Sequence, residues 1–435
     1  MNRTLVILST ILAFNAAATP KSLEQEVAFA LESNPNVRQA FHELASRSES
    51  IRGAYSGYQP TLDVEGGIGY QKLDNTSTRF SGNDEFDPTE ISLTLRQYLF
   101  QGFEISENVT RNRAEAEAQR YQLLSDADGL ALRVVEVYLA LLRQQQQYLL
   151  SEKNRDVHQA IYNDIRRRTE QGVGSNADLS QISARLSRAN SNLISAQNNL
   201  KDAEDEYLRV TNHRPPELIR PEVDAQALPG TIDTALSRAL HNNPTLGVAH
   251  NDIDAAVARR KISKSGFYPE FYIEVKQSWE DETRGQMSYI NDFSAALKMK
   301  WNLFNGSANH AEVTRDAYQI QVAKDIRENS IRQLQEGTRL AWNAWQFTQK
   351  QKGFLQGHVE ASYDTAQAYK KQFDIGRRTL LDLLNTENEL FEARSNYLEA
   401  EYAEIEAKYR LLNATGDLMP ALRITLPESW LETRR

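Results

Sequence analysis

The sequence predicts a mainly α-helical protein that also contributes β-strands to a membrane β-barrel, in a chain built from two internal repeats. Three observations predict this fold. The two halves of the chain match at a nearly constant offset, long tracts contain no proline, and four short segments alternate apolar with polar residues. These patterns are typical of repeats, of long helices and of half-exposed strands.

The N-terminus has the composition of a secretory signal peptide. Met1–Arg3 is basic, Leu5–Phe14 is apolar, and Ala16–Ala18 offers small residues for cleavage. The apolar run is too short to cross roughly 30 Å of hydrocarbon as a helix. We therefore predict that residues 1–18 are removed and that the mature chain is exported.

The duplication defines the domain organisation. One offset places Pro35 on Pro244, and a slightly smaller offset places Gly172 on Gly376, so a loop between these anchors is shorter in the second half. Each half is predicted to run helix, strand, loop, strand, long helix, tip, long helix. The predicted boundaries are a first repeat over 19–215, a junction over 216–232, a second repeat over 233–418 and a tail over 419–435.

The predicted strands alternate in character along their length. The segments are 62–71, 91–96, Glu270–Glu280 and Phe293–Asn302. Alternation fits a lipid-facing apolar side and a water-filled lumen, although a half-buried sheet of a soluble protein has the same pattern. In the last segment the apolar side consists of Phe293, Ala295, Leu297, Met299 and Trp301.

Four strands cannot enclose a water-filled barrel by themselves. An open sheet in lipid would leave two rows of unpaired backbone groups, each costing several kcal/mol. Several chains must therefore share one barrel. Geometry alone permits a dimer, a trimer or a tetramer.

The long helices are predicted from proline placement. No proline lies between Thr89 and Arg214 or between Glu270 and Met419, so Phe103–Gln171 can form one continuous helix. A helix of this length must project from the rest of the chain as part of a hairpin. An exported coiled-coil structural protein is an alternative interpretation of these tracts.

One motif carries a specific resemblance. The run F-D-I-G-R-R-T-L-L-D-L-L-N at Phe373–Asn385 resembles the periplasmic tip motif of the TolC family of outer-membrane efflux and secretion ducts. The resemblance implies a homotrimer with a shared twelve-stranded barrel that continues into a periplasmic α-helical barrel. It also implies an outer-membrane location, with a periplasmic adaptor and an inner-membrane transporter as partners and no cofactor.

The resemblance also implies a gate at the helical tips. Asp382 falls on an aspartate that forms an acidic ring at the entrance, and Arg378 falls on an arginine that ties the inner hairpin to its neighbour. Asp178 falls on the partner of that arginine. The alternative is that both aspartates only stabilise the first turn of a helix through its dipole.

The sequence departs from the family pattern at three tip positions. Phe373 and Ala177 lack the hydroxyl groups of their family counterparts, and Asn385 replaces a second ring aspartate. One acidic ring and fewer locking hydrogen bonds are therefore expected. The residues expected at the tip turns, where the adaptor docks, are Gly172, Gly174, Gly376 and Arg377.

Other classes of function are disfavoured. The chain has no cysteine, its seven histidines show no paired metal spacing, and no phosphate-binding loop or nucleophile elbow is present. Asp126 and Asp128 beside Gly129 are too few for a calcium loop. A net charge of -9 with mixed signs argues against nucleic-acid binding. We predict a passive exit duct for type I secretion or small-molecule efflux, and not an enzyme.

Overall fold

The computed structural model describes residues 21–82, 84–283 and 288–432. The predicted signal peptide, residues 1–18, lies outside the described residues. The helices are α1 Leu23–Ser33, α2 Pro35–Tyr55, α3 Thr76–Ser81, α4 Glu104–Glu170, α5 Asn176–Thr211, α6 Ile232–Asn242, α7 Pro244–Ser263, α8 Ala308–Asp374, α9 Leu380–Ala414, α10 Leu418–Ala421 and α11 Glu428–Leu431. The strands are β1 Thr61–Ile68, β2 Gln71–Lys72, β3 Glu85–Phe86, β4 Thr89–Gln101, β5 Glu270–Asp281 and β6 Ile290–Lys300.

The order of elements repeats as predicted. Two helices, a strand pair and two long helices occur in each half, from α1 to α5 and from α6 to α9. The structure adds detail to the loop predicted between the first two strands, which contains the short helix α3 and the strand β3. The last strand ends at Lys300, two residues before the predicted Asn302.

The long helices match the prediction closely. α4 and α8 each contain 67 residues, and α4 begins and ends within one residue of the predicted Phe103–Gln171. Gly172 and Gly376 follow these helices with φ of 78° and 75°, a left-handed conformation that glycine adopts without strain. In the described part of the chain, no helix combines the length and the apolar character needed to cross a membrane.

The four longer strands form one antiparallel sheet in the order β1-β4-β5-β6. The register brings apolar residues of neighbouring strands together, since Val64 pairs with Leu93 and Ile273 pairs with Leu297. This apolar side is not covered by the rest of the chain, because Ile68 is 88% exposed and Leu297 is 67% exposed. The predicted two-sided sheet is therefore confirmed, with its apolar face open.

The chain forms two compact units, and each unit draws on both repeats. The first contains α1, α5, α6, α9 and α10, within residues up to Arg38, Asp126–Asn243 and Leu334–Thr425. The second contains the four-stranded sheet and α7, within Gln39–Ser125 and Pro244–Gln333, and also α11. The two repeats meet within each unit, because β4 of the first half pairs with β5 of the second and α5 of the first half contacts α9 of the second.

Candidate functional site

The turns at the two helical tips both lie in the first unit. One turn joins α4 to α5 at Gln171–Ser175, and the other joins α8 to α9 at Ile375–Thr379. A hydrophobic core links them, formed by buried Ile165, Ile182, Leu380 and Leu384, and we call it the tip cluster. Phe373 packs against the tip cluster. Phe373 therefore replaces the expected linking hydroxyl with an apolar contact.

Asp382 occupies a capping position at the start of α9. Its carboxylate accepts hydrogen bonds from the Thr379 hydroxyl at 2.8 Å and from the Thr379 backbone N–H at 3.3 Å, while the Asp382 N–H donates to the same hydroxyl at 3.2 Å. This is a reciprocal capping box. The two bonds from Thr379 hold the pKa of Asp382 below its usual value. Asp382 therefore stabilises the first turn of α9 within a single chain.

Arg378 has its contacts within its own hairpin. Its Nε donates to Gln372 Oε1 at 3.0 Å, and its guanidinium lies 4.2 Å from the centre of the Tyr369 ring. Asp178 lies in the first turn of α5. Among the ion pairs of the described residues, none joins Arg378 to Asp178 within the chain. The proposed lock therefore requires either a second chain or a different arrangement of the tips.

Asn385 takes part in a link that the sequence did not indicate. Arg185 Nη2 on α5 donates to Asn385 Oδ1 on α9 at 3.2 Å, joining the two hairpins. A second arginine, Arg168, lies with its guanidinium 5.3 Å from the centre of the Phe373 ring. Neither arginine belongs to a motif. The only signal for Arg185 is its position two helical turns after Asp178, on the same side of α5.

The tip turns expose glycine and apolar side chains together. A Cβ at Gly174 would lie 2.7 Å from Thr169 Oγ1, so the backbone approaches too closely for a side chain. Arg377 is exposed. Val173 is 81% exposed and Ile375 is 67% exposed. Sequence reasoning overlooked these two exposed apolar side chains.

The polar side of the sheet carries an ordered set of charges. Glu274 on β5 accepts from Arg96 Nη2 on β4 at 2.7 Å and from Lys298 Nζ on β6 at 2.5 Å. These three strands are therefore joined by side chains as well as by their backbones. Within the described residues, no group of three or more histidines and acidic residues is arranged to hold a metal ion.

The chain is similar to known proteins over most of its length. The family described as "Outer membrane efflux protein" matches residues 28–212 and 235–417. The outer membrane efflux protein BepC of Brucella suis is 25% identical, over 94% of this chain and 89% of its own. The alkaline protease secretion protein AprF of Pseudomonas aeruginosa is 22% identical, over 89% and 83%. The outer membrane protein TolC of Escherichia coli is 21% identical, over 93% and 84%.

Solved structures show the same fold. A crystal structure of CusC superposes with a TM-score of 0.80 at 16% identity, and covers 94% of this chain and 95% of that one. At this identity the likeness establishes the architecture alone. Together with the family match, it accounts for nearly the whole described chain.

Proposed function

The chain belongs to the outer membrane efflux protein family, and we propose that it is the outer-membrane exit duct of a tripartite secretion or efflux system. Family membership favours the duct over an exported coiled-coil structural protein. The duct works as a homotrimer with a periplasmic adaptor and an inner-membrane transporter. It performs no chemical step, and the transporter supplies the energy.

The observation that carries this proposal is the open sheet. β1 and β6 are its outer strands, and each has one neighbour within the chain. One side is apolar and exposed, while the other carries Arg96, Glu274 and Lys298. In lipid, the free backbone groups of both outer strands need partners. Three copies that pair β6 with β1 of the next copy close a barrel with an apolar outside and a charged lumen.

Proteins and small molecules are the two candidate substrate classes. BepC is named for efflux and AprF for secretion of an alkaline protease. The absence of a lipidation cysteine in this chain gives a weak preference for the secretion branch. Comparing export of a secreted protease with export of a toxic dye in a deletion strain would separate these two substrates.

Cysteine cross-linking tests the shared barrel, because the chain has no native cysteine. Val64→Cys on β1 is combined with a cysteine at Ala295, Leu297 or Met299 on β6. We expect one combination to give a disulfide-linked ladder that ends at the trimer in outer-membrane fractions, since paired strands bring Cβ atoms within disulfide range.

The matched control pairs Val64→Cys with Val275→Cys. Val275 lies on β5, which already has β4 and β6 as neighbours, so no cross-linked ladder is expected. The shared barrel would be contradicted if every β6 position stayed monomeric, or if the ladder ended at a dimer or tetramer.

We also propose that the tips gate the duct through Asp382, Arg378 and Asp178, supported by Phe373 and Asn385. In this proposal three copies of Asp382 form a negative ring that favours cations. The adaptor docks at Gly172, Gly174, Gly376 and Arg377. The support within one chain is that the tip cluster holds both turns together.

Two substitutions separate the ring charge of Asp382 from its capping role. Asp382→Asn removes the charge and keeps an oxygen that can accept from Thr379, whereas Asp382→Ala removes both. We expect both variants to lose cation selectivity in single-channel recordings, and only Asp382→Ala to destabilise the tip. Unchanged selectivity in Asp382→Asn would exclude Asp382 from the gate.

A further inference from the structure

A cavity of about 440 Å³ lies beside the tip cluster, within the first unit. Its walls come from α4, α8 and α9. The apolar part of the lining consists of Val157, Ala160, Ile161, Phe373 and Leu383. This volume falls within the range of about 300–1,000 Å³ that is typical of small-molecule sites.

The charged part of the lining is mainly acidic. The acidic residues that line the cavity are Asp156, Asp164, Asp374 and Glu387, and the basic ones are Lys153 and Lys370. Two of the carboxylates already have partners, because Asp156 pairs with Arg155 and Asp164 pairs with Arg168. The other two acidic residues are Asp374, which is exposed, and Glu387, which is half-buried.

Glu387 is the less exposed of the two lining carboxylates that have no ion pair among the described residues. Within the described residues it forms no hydrogen bond and no ion pair, although it also lines a second, smaller cavity nearby. Burial raises the pKa of Glu387, and the nearby side chains of His158, Lys370 and Arg394 act in the opposite direction. A desolvated carboxylate without a hydrogen-bond partner is costly, and a ligand cation would remove that cost.

We propose that this cavity is a binding site for an amphipathic organic cation, with its ammonium group on Glu387 and its apolar body against Phe373 and Ile161. An apolar neutral ligand would leave the Glu387 carboxylate desolvated and unpaired. An amphipathic anion would bring a second negative charge to the Glu387 carboxylate. The proposal concerns binding alone, so it does not depend on the duct function.

The test uses the full-length mature protein in lipid nanodiscs with monodansylcadaverine, a fluorescent naphthalene sulfonamide with a primary ammonium group on a pentyl chain. The matched probe is the dansyl amide of pentylamine, which has the same body and no ammonium group. We expect monodansylcadaverine to bind with a blue-shifted emission, and the pentyl analogue to bind at least about tenfold more weakly, as expected for loss of a charge-assisted contact.

Three variants locate the site. Glu387→Gln should weaken monodansylcadaverine binding about tenfold and remove the difference between the two probes. Glu389→Gln is the matched control, because Glu389 lies on the same helix but is exposed and bonded to His358. Ala160→Phe should abolish binding of both probes by filling the cavity from an exposed position.

The outcomes are decisive in both directions. A normal trimer band for each variant shows that the fold is intact. The proposal is overturned if neither probe binds, if both probes bind wild type equally, or if Glu387→Gln and Ala160→Phe bind as wild type does. Equal weakening by Glu389→Gln would also overturn it, because the effect would then reflect general surface charge.

Discussion

At the scale of single residues, Asp128 is a partly buried carboxyl inside α4. Removal from water raises its pKa to about 7. The folded chain therefore holds a proton that the unfolded chain releases near pH 4. By linkage, the free energy of unfolding falls as the pH rises from about 4 to about 7, and it stays level above that range.

Replacing Asp128 with asparagine should remove this pH dependence. We expect Asp128→Asn to raise the thermal midpoint at pH 8, where the gain in the free energy of unfolding is at most about 4 kcal/mol. At pH 4 the midpoint should change little. The midpoint is measured at each pH from the heat-modifiable migration of the trimer. Asp126→Asn, at an exposed carboxyl two residues earlier, is the control. Equal gains at both pH values would contradict the assigned pKa.

A fully buried glutamate holds the start of the described chain. Glu26 is 0% exposed, and its carboxylate lies 2.6 Å from the Tyr207 hydroxyl, 3.0 Å from His213 Nε2 and 3.2 Å from Lys21 Nζ. Burial, and then the bond to Glu26, raises the pKa of Tyr207. The network joins α1 to the end of α5 and to the segment after it.

Removing Glu26 should destabilise the first unit strongly. Glu26→Ala leaves the fully buried Tyr207 hydroxyl without the carboxylate to which it donates, and an unsatisfied buried group of this kind typically costs about 1–3 kcal/mol. We expect a lower denaturation midpoint in urea or guanidinium. Glu32→Ala on the same helix, at an exposed position, should behave as wild type. Matching midpoints for Glu26→Ala and Glu32→Ala would show that the network contributes little.

At the scale of elements, the sequence Leu-Phe-x-Gly occurs at both strand-to-helix corners, at residues 99–102 and 303–306. The two glycines have different surroundings. Gly102 and Gly306 have φ of 58° and 68°. A Cβ at Gly102 would lie 2.7 Å from the Ser265 carbonyl oxygen and 2.9 Å from Tyr268 Cβ, whereas a Cβ at Gly306 would meet nothing within 4 Å. A side chain is therefore obstructed at Gly102 but has open space at Gly306.

The duplicated corners provide a matched pair of substitutions. Gly306→Ala should cost only the left-handed backbone strain of about 1 kcal/mol, and Gly102→Ala should cost more because backbone must also shift. We expect fewer assembled trimers in outer-membrane fractions for Gly102→Ala alone. Equal amounts of trimer in the two variants would mean that the close approach at Gly102 is relieved without cost.

At the scale of the whole molecule, the locking contact is expected between chains. Within the chain, Arg378 is bonded to Gln372 and lies over Tyr369. If the assembled tips pair Arg378 with Asp178, then Arg378→Ser and Asp178→Ser should each raise the resting conductance in planar bilayers. The double variant should be less than additive, because both changes remove one interaction.

The control for this prediction is Arg377→Ser, at the neighbouring exposed arginine. It should leave the resting conductance of the purified duct unchanged. A rise for Arg378→Ser without a rise for Asp178→Ser would assign Arg378 to its own hairpin instead of to a lock between chains.

The sequence by itself determined the repeat, the long helices and the alternation of the strands. Each of these follows from local patterns: proline-free tracts, turn glycines such as Gly172 and Gly376, and side chains that alternate along a strand. The same local logic located the tip motif. It could not separate a lipid-facing strand from a half-buried one, because both have the same period.

The tertiary structure decided which groups meet. Arg185 donates a hydrogen bond to Asn385, and Arg378 lies over the Tyr369 ring. Glu387 lines a cavity and has no ion pair among the described residues. The register that places the apolar residues of four strands on one side was likewise set by pairing. The physical reason is that burial and partners depend on how elements distant in the chain pack, whereas helix and strand periods depend only on residues a few positions apart.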